Sequence, residues 1–388
     1  MDVRMKPTQS FEDRPRGLSL TIGACVFIIL LAYLFSCVPG LEGANPRRPA
    51  SRKIPFQLPI STPEEQGMDA DMLAAAYERA AGIPRMYSML VIRHGRLVAE
   101  EYFDTQTRTT PMPVASVCKS ILDALVGIAL DEGYLVSLDQ RMIDFFPEYD
   151  VPGLDRRKRD ITIRHLLQMR AGYPADSTIE FFNLLTNSRD WFQLIIVDWP
   201  LEGSPGAGWA YSNAGTHLLS GILTRATGMS LLDLANRHLF GPMGHPVQYW
   251  PRDPLGYCVG PGDVHLTPLQ LALFGQMILK NGYWRGMKIL DPDWVAESLD
   301  DYSETTWENF WPYRNIRYGN LWWYAEVNGH EVHFAWGHGG QFVTVVPSLD
   351  LVAVTTADNF LGDFTTNSWN TEGAIFRLIA RDVIPAAN

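Results

Sequence analysis

Ser116-Val-Cys-Lys119-Ser-Ile-Leu-Asp-Ala-Leu-Val-Gly-Ile-Ala-Leu-Asp131 is apolar at nearly every position, and Gly133 follows it as a natural helix C-cap. A helix that is apolar all round belongs in the centre of a fold, packed on every side. At its head a serine and a lysine stand three residues apart, about one helical turn, so the amine can reach the hydroxyl. Serine is a poor nucleophile until a base takes its proton. The helix N-terminus adds positive potential that favours a developing anion. Burial depresses a lysine pKa, and the neutral amine can then serve as the base. The plainer alternative is a capping serine beside a snorkelling lysine. Against it, the chain holds only Lys6, Lys53, Lys119, Lys158, Lys280 and Lys288, and Lys119 alone has a serine three positions before it. A lysine heading an otherwise apolar helix also needs a reason to be there.

Two further elements carry polar groups in suggestive settings. Tyr211-Ser212-Asn213 lies between the Gly-rich loop 203–209 and an apolar helix. A tyrosine there can shuttle protons, and an asparagine can hold a substrate amide with donor and acceptor together. Tyr313-Arg-Asn315 and Tyr318-Gly-Asn320 share the spacing but read as surface turns before a strand. Trp336-Gly-His338-Gly339-Gly340-Gln341 falls between two strand-like runs, where glycines let a substrate backbone approach an exposed N–H.

Periodicity around these elements sets the architecture. Helical spacing covers residues 69–81, 163–169, 213–226, 268–279 and 372–383. Strand-like runs at 89–92 and 97–99 flank a Gly turn, and those at 321–327 and 332–336 flank Asn328-Gly329, a strong hairpin signal. Residues 342–346 and 351–356 add two more strands. The expected fold is α/β of the α+β type. One antiparallel sheet is built from both termini and flanked by helices, with a large, mostly helical lobe inserted in the middle.

In the order SxxK, Tyr-x-Asn, His-x-Gly, the three elements together resemble those of the serine β-lactamase and penicillin-binding-protein superfamily. The resemblance runs from about residue 61 to the C-terminus. Gly133-Tyr-Leu-Val-Ser-Leu138-Asp139 with Phe146-Pro147-Glu148, and His165-Leu-Leu-Gln-Met169 with Ala171-Gly172, are similar to the family's stretches after the nucleophile helix. Gly319-Asn-Leu-Trp322-Trp323 and Gly339-Gly340-Gln341-Phe342 resemble the esterase and 6-aminohexanoate-dimer hydrolase branch. The resemblance implies a serine hydrolase that cleaves an ester or amide through an acyl-enzyme. Ser116 is then acylated, Lys119 and Tyr211 move protons, and Asn213, His338, Gly339, Gly340 and Gln341 bind substrate. The backbone N–H groups of Ser116 and Gln341 form the oxyanion hole. His338 stands where β-lactamases and D-peptidases usually place a lysine that helps hold a substrate carboxylate. Tyr173 is a further candidate for the pocket wall. The alternatives are a D-peptidase or β-lactamase and, from another class, a non-catalytic binding protein on the same fold.

Residues 17–38 are uncharged and mostly apolar, long enough to span a bilayer as a helix. Arg4, Lys6, Arg14 and Arg16 slightly outweigh Asp2, Glu12 and Asp13 ahead of them, which keeps a tail of residues 1–16 inside. An uncleaved anchor is the favoured reading over a cleaved signal peptide or a lipoprotein segment, and each exports the catalytic part. Residues 39–60, rich in Pro, Arg and Gly, read as a linker, and residues 61–388 as the hydrolase domain. The expected contacts are therefore a membrane, through the N-terminal segment, and a small-molecule or peptide-like ester or amide.

A net charge of −11 over 388 residues argues against a nucleic-acid partner, which calls for clustered Lys and Arg. Cys118 and Cys258 read as buried free thiols. No cofactor is implied, and His330 and His333 lack a third metal ligand near them in sequence.

Overall fold

The computed structural model describes residues 57–104, 106–300, 302–306, 312–359 and 366–388. The apolar run 17–38 lies outside them, and among the described residues no helix is long and apolar enough to cross a membrane. Eight strands make one sheet: β1 (Met86–Arg93), β2 (Arg96–Tyr102), β3 (Ser303–Glu304), β4 (Arg314–Tyr318), β5 (Trp323–Val327), β6 (His330–Gly337), β7 (Gln341–Val346) and β8 (Leu351–Ala357). Their order is β2-β1-β8-β7-β6-β5-β4-β3, with every neighbouring pair antiparallel.

Local backbone chemistry closes the hairpins. His94 and Gly95 both have positive φ (50° and 74°), as do Asn328 and Gly329 (53° and 82°). Two-residue turns of this hand match the right-handed twist of the strands they join. The sheet is closed across sequence by β1 pairing with β8, where Leu90 faces Val354 and the Ser88 and Thr356 hydroxyls lie 2.6 Å apart. Both ends of the chain therefore build one sheet, as the periodicity indicates. The backbone of Pro59 and Ser61 already bonds to Leu97, so ordered structure takes in residues at the end of the expected linker.

Helices cover both faces. They are α1 (Ala70–Ala81), α2 (Val117–Asp131), α3 (Ile163–Leu167), α4 (Ile179–Asn187), α5 (Asn213–Thr227), α6 (Leu231–His238), α7 (Pro268–Leu279), α8 (Pro292–Leu299) and α9 (Thr366–Leu378). Successive side chains of a strand point to opposite faces. On β7, Phe342 packs against Phe376 of α9 (4.7 Å between rings), while Val343 lies under Gly275 of α7. A Cβ on Gly275 would come within 2.7 Å of Val343, so this glycine lets α7 settle onto the sheet. Residues 117–129 of α2 are all buried, as an all-round apolar helix requires.

Several elements differ from the sequence reading. The helix expected over 163–169 ends at Leu167, because Met169 turns left-handed (φ 55°) ahead of Gly172. The last helix starts at Thr366 and is continued by wider turns over Ile379–Val383, so Glu372 sits mid-helix. Tyr313 and Tyr318 are not surface residues. Each is 1% exposed, and Tyr318 ends β4. Strand β4 escapes an alternation test because Asn315 (φ 50°) kinks it and shifts its register between Arg314 and Arg317.

Candidate active site

Ser116 immediately precedes α2, in a half-buried position. Ala115 before it is held at φ 45°, an unfavourable backbone for alanine, while the Val114 N–H bonds to the Val264 carbonyl. Ser116 stands at the N-cap position yet makes no side-chain cap. Its hydroxyl instead meets Lys119 Nζ at 2.9 Å and the Tyr211 hydroxyl. That arrangement excludes the alternative of a capping serine beside a snorkelling lysine.

Lys119 is 1% exposed, and two fixed acceptors hold its amine: Asn213 Oδ1 at 2.8 Å and the Pro261 carbonyl at 2.6 Å. With two N–H bonds directed there, the third tetrahedral position faces Ser116. In the neutral amine that position is the lone pair, placed to accept the serine proton. Burial brings the Lys119 pKa from 10.5 down to about 8, partly opposed by the carboxylates of Asp176 and Asp263. The amine also lies 5.0 Å from the centre of the Tyr211 ring.

Tyr211 is buried, its ring stacked on Trp323 at 5.8 Å and 22°. Burial pushes its phenol up, while the Ser116 contact pulls it down. Trp209 and Tyr318 complete the aromatic wall, each packed against Trp323. Asn213 opens α5. Its Oδ1 is taken by Lys119, and its Nδ2 donates to Ser177 Oγ at 3.2 Å.

The third element, from His338 to Gln341, turns from β6 into β7. A Cβ on Gly337 would come 2.4 Å from the Val114 carbonyl, so the absence of a side chain brings this turn beside the segment before Ser116. Gly339 and Gly340 take positive φ (87° and 117°). The Gln341 side chain accepts from the Ala357 N–H and donates to the Ala357 carbonyl, pinning the turn to the end of β8.

Sequence reasoning missed two carboxylates that hold this arrangement. Asp176 is fully buried and accepts from the backbone of Asn213 (2.6 Å) and Ala214 (2.9 Å) and from Ser212 Oγ (3.0 Å). It fixes the start of α5 and hence Asn213. Burial pushes its pKa up to about 6, with those bonds and Lys119 opposing. Glu372 on α9 is 1% exposed and accepts from Trp336 Nε1 (2.8 Å) and the Gly339 N–H (2.7 Å), with His338 Nδ1 at 3.2 Å. Neither has a local signal, since their partners lie more than thirty residues away in sequence.

Tyr173 does not line an open pocket wall. It is 2% exposed, and its hydroxyl donates to the Ile195 carbonyl. His330 bonds to Ser348 and Asn388, and burial lowers His333 to about 4. Among the described residues no cluster of three His, Cys, Asp or Glu could hold a metal. Cys118 and Cys258 are buried and free.

A family model described as Beta-lactamase matches residues 70–372. The 6-aminohexanoate-dimer hydrolase of Paenarthrobacter ureafaciens is 24% identical over 297 residues, covering 69% of this chain and 71% of that protein. A penicillin-binding protein of Bacillus subtilis (strain 168) is 32% identical over 127 residues, 31% of this chain; the match spans only 26% of that relative's length. Among solved structures, the octameric penicillin-binding protein homologue from Pyrococcus abyssi superposes with a TM-score of 0.62 at 18% identity, covering 80% of this chain and 76% of that one. At this identity the likeness shows the fold.

Proposed function

The chain belongs to the beta-lactamase family, and from that premise we propose that it is a serine hydrolase cleaving an ester or amide through an acyl-enzyme. The carrying observation is the 2.9 Å contact between Lys119 Nζ and a Ser116 hydroxyl that caps nothing. Ser116 Oγ attacks the carbonyl carbon while its proton passes to neutral Lys119. The N–H groups of Ser116 and Gln341 take the developing oxyanion. Tyr211 relays a proton to the leaving group, and water then attacks the acyl-enzyme by the reverse route.

His338 supplies an imidazole tied to Glu372 where a carboxylate-binding lysine would favour β-lactams and D-alanyl peptides. This supports the esterase or amidase reading over the D-peptidase reading. The test is intact-protein mass after a fluorophosphonate, with rates on p-nitrophenyl esters, nitrocefin, D-alanyl peptides and the 6-aminohexanoate dimer. One adduct on Ser116, absent in Ser116→Ala, is expected. An adduct elsewhere refutes the assignment, and dominant nitrocefin or D-alanyl turnover shifts it to the alternative.

Residues 17–38 are proposed to anchor the chain with this site outside the cytoplasm. Alkaline carbonate should leave the full chain in the membrane pellet. An intact chain in the supernatant would contradict that.

A further inference from the structure

The loop that supplies Lys119 with its carbonyl partner also brings a carboxylate to the nucleophile. Residues 260–264 run directly beside the turn into α2. The Pro261 carbonyl accepts from Lys119 Nζ, and the Val264 carbonyl accepts from the Val114 N–H. A Cβ on Gly262 would sit 3.3 Å from the Ala115 backbone, so the two segments touch. Asp263 lies between these anchor points, half-buried, with its backbone at φ 65°. Aspartate adopts this left-handed backbone more readily than most residues.

Among the described residues, no contact of the fold occupies the Asp263 carboxylate. Its carboxylate makes no hydrogen bond and no ion pair among the described residues, unlike Asp176 and Glu372, whose carboxylates are taken up by backbone and side-chain donors. Its carbonyl, not its carboxylate, meets His265 Nδ1. The charges of His265, Lys119 and His338 nonetheless act on this carboxylate, and the Pro261 carbonyl two residues before it bonds to Lys119 Nζ. Burial raises its pKa and these three groups oppose the rise. In the fraction of molecules poised to react Lys119 is neutral, and His338 is already bonded to Glu372.

We propose that Asp263 is a specificity-determining residue, and that the substrate carries a cationic group, an ammonium or guanidinium, close to the scissile carbonyl. The proposal rests on the serine-hydrolase reading of the same site. A half-buried carboxylate with no partner attracts a cation more strongly than one in bulk water. It repels a substrate carboxylate by the same physics, in keeping with the absence of a lysine at position 338.

The test compares three p-nitrophenyl esters that differ in charge at one place. They are the ester of γ-trimethylammoniobutyrate, its neutral isostere with a tert-butyl group replacing the ammonium, and the monoester of glutarate. Asp263→Asn and Asp263→Gly both tolerate a left-handed backbone, so each removes the charge without adding strain. The wild type should favour the cationic ester over the neutral one and reject the anionic one. Each variant should lose at least about tenfold more kcat/KM on the cationic ester than on the neutral isostere. Equal losses on both esters would mean that Asp263 acts only on Lys119, and would overturn the proposal. So would a wild type indifferent to charge. If no ester is cleaved and Ser116 takes no fluorophosphonate, the hydrolase reading fails and the proposal falls with it. Labelling at Ser116 without charge preference sinks the proposal alone.

Discussion

Raising the pH should switch on the nucleophile through Lys119, by an amount the structure sets. Burial brings its pKa from 10.5 to about 8, a penalty on the charged form of about 3 kcal/mol. At pH 7 about a tenth of the molecules then carry a neutral amine, against about one in three thousand for an ordinary lysine. Desolvation thus multiplies the population able to take the Ser116 proton by about three hundred. The sign follows from the role. A base must be unprotonated, so kcat/KM should climb close to tenfold per pH unit between about 6 and 7.5 and flatten above about 8.5. The assay is ester hydrolysis across this range, corrected for spontaneous hydrolysis, alongside the Lys119→Met variant. Methionine fills much of the same volume without an amine, and it should lower the plateau by about two to four orders of magnitude and abolish the climb. A flat wild-type profile would refute the reasoning. So would an inflection that survives in Lys119→Met, because the titrating group would then be another, such as Asp176.

Tyr211→Phe should keep the stack on Trp323 and lose the hydroxyl that meets Ser116, so kcat should fall about a hundredfold or more while the melting temperature barely moves. A large loss of stability with normal kcat would assign Tyr211 to packing. Asp176→Ala leaves the N–H groups of Asn213 and Ala214 and the Ser212 hydroxyl without their buried acceptor, which should cost about 3 kcal/mol in urea unfolding. Asp176→Asn, which keeps one acceptor oxygen, should lose less, and equal stability of all three proteins would show that water replaces the carboxylate. Deleting residues 372–388 removes Ile375, Phe376, Leu378, Ile379, Val383 and Ile384 from the core. At about 2 kcal/mol each this approaches a whole domain's stability, so no cooperative melt should remain, and a parent-like melt would contradict the shared sheet.

The residues themselves determined whatever acts over a few positions. Ser116 and Lys119 meet because three residues make about one helical turn, and an all-apolar helix behind them has to be central. The Asn328-Gly329 hairpin follows from an equally local preference. Only the tertiary structure decided what depends on segments distant in sequence. Strand β4 exists because β5 pairs with it despite the kink at Asn315, and Tyr318 is buried because Trp209, Tyr211 and Trp323 surround it. Asp176 and Glu372 gain their roles from backbone N–H groups thirty or more residues away. The charge of Lys119 is the clearest case. Its spacing from Ser116 is written in the sequence, but its pKa of about 8 exists only once distant segments close over the amine and exclude water.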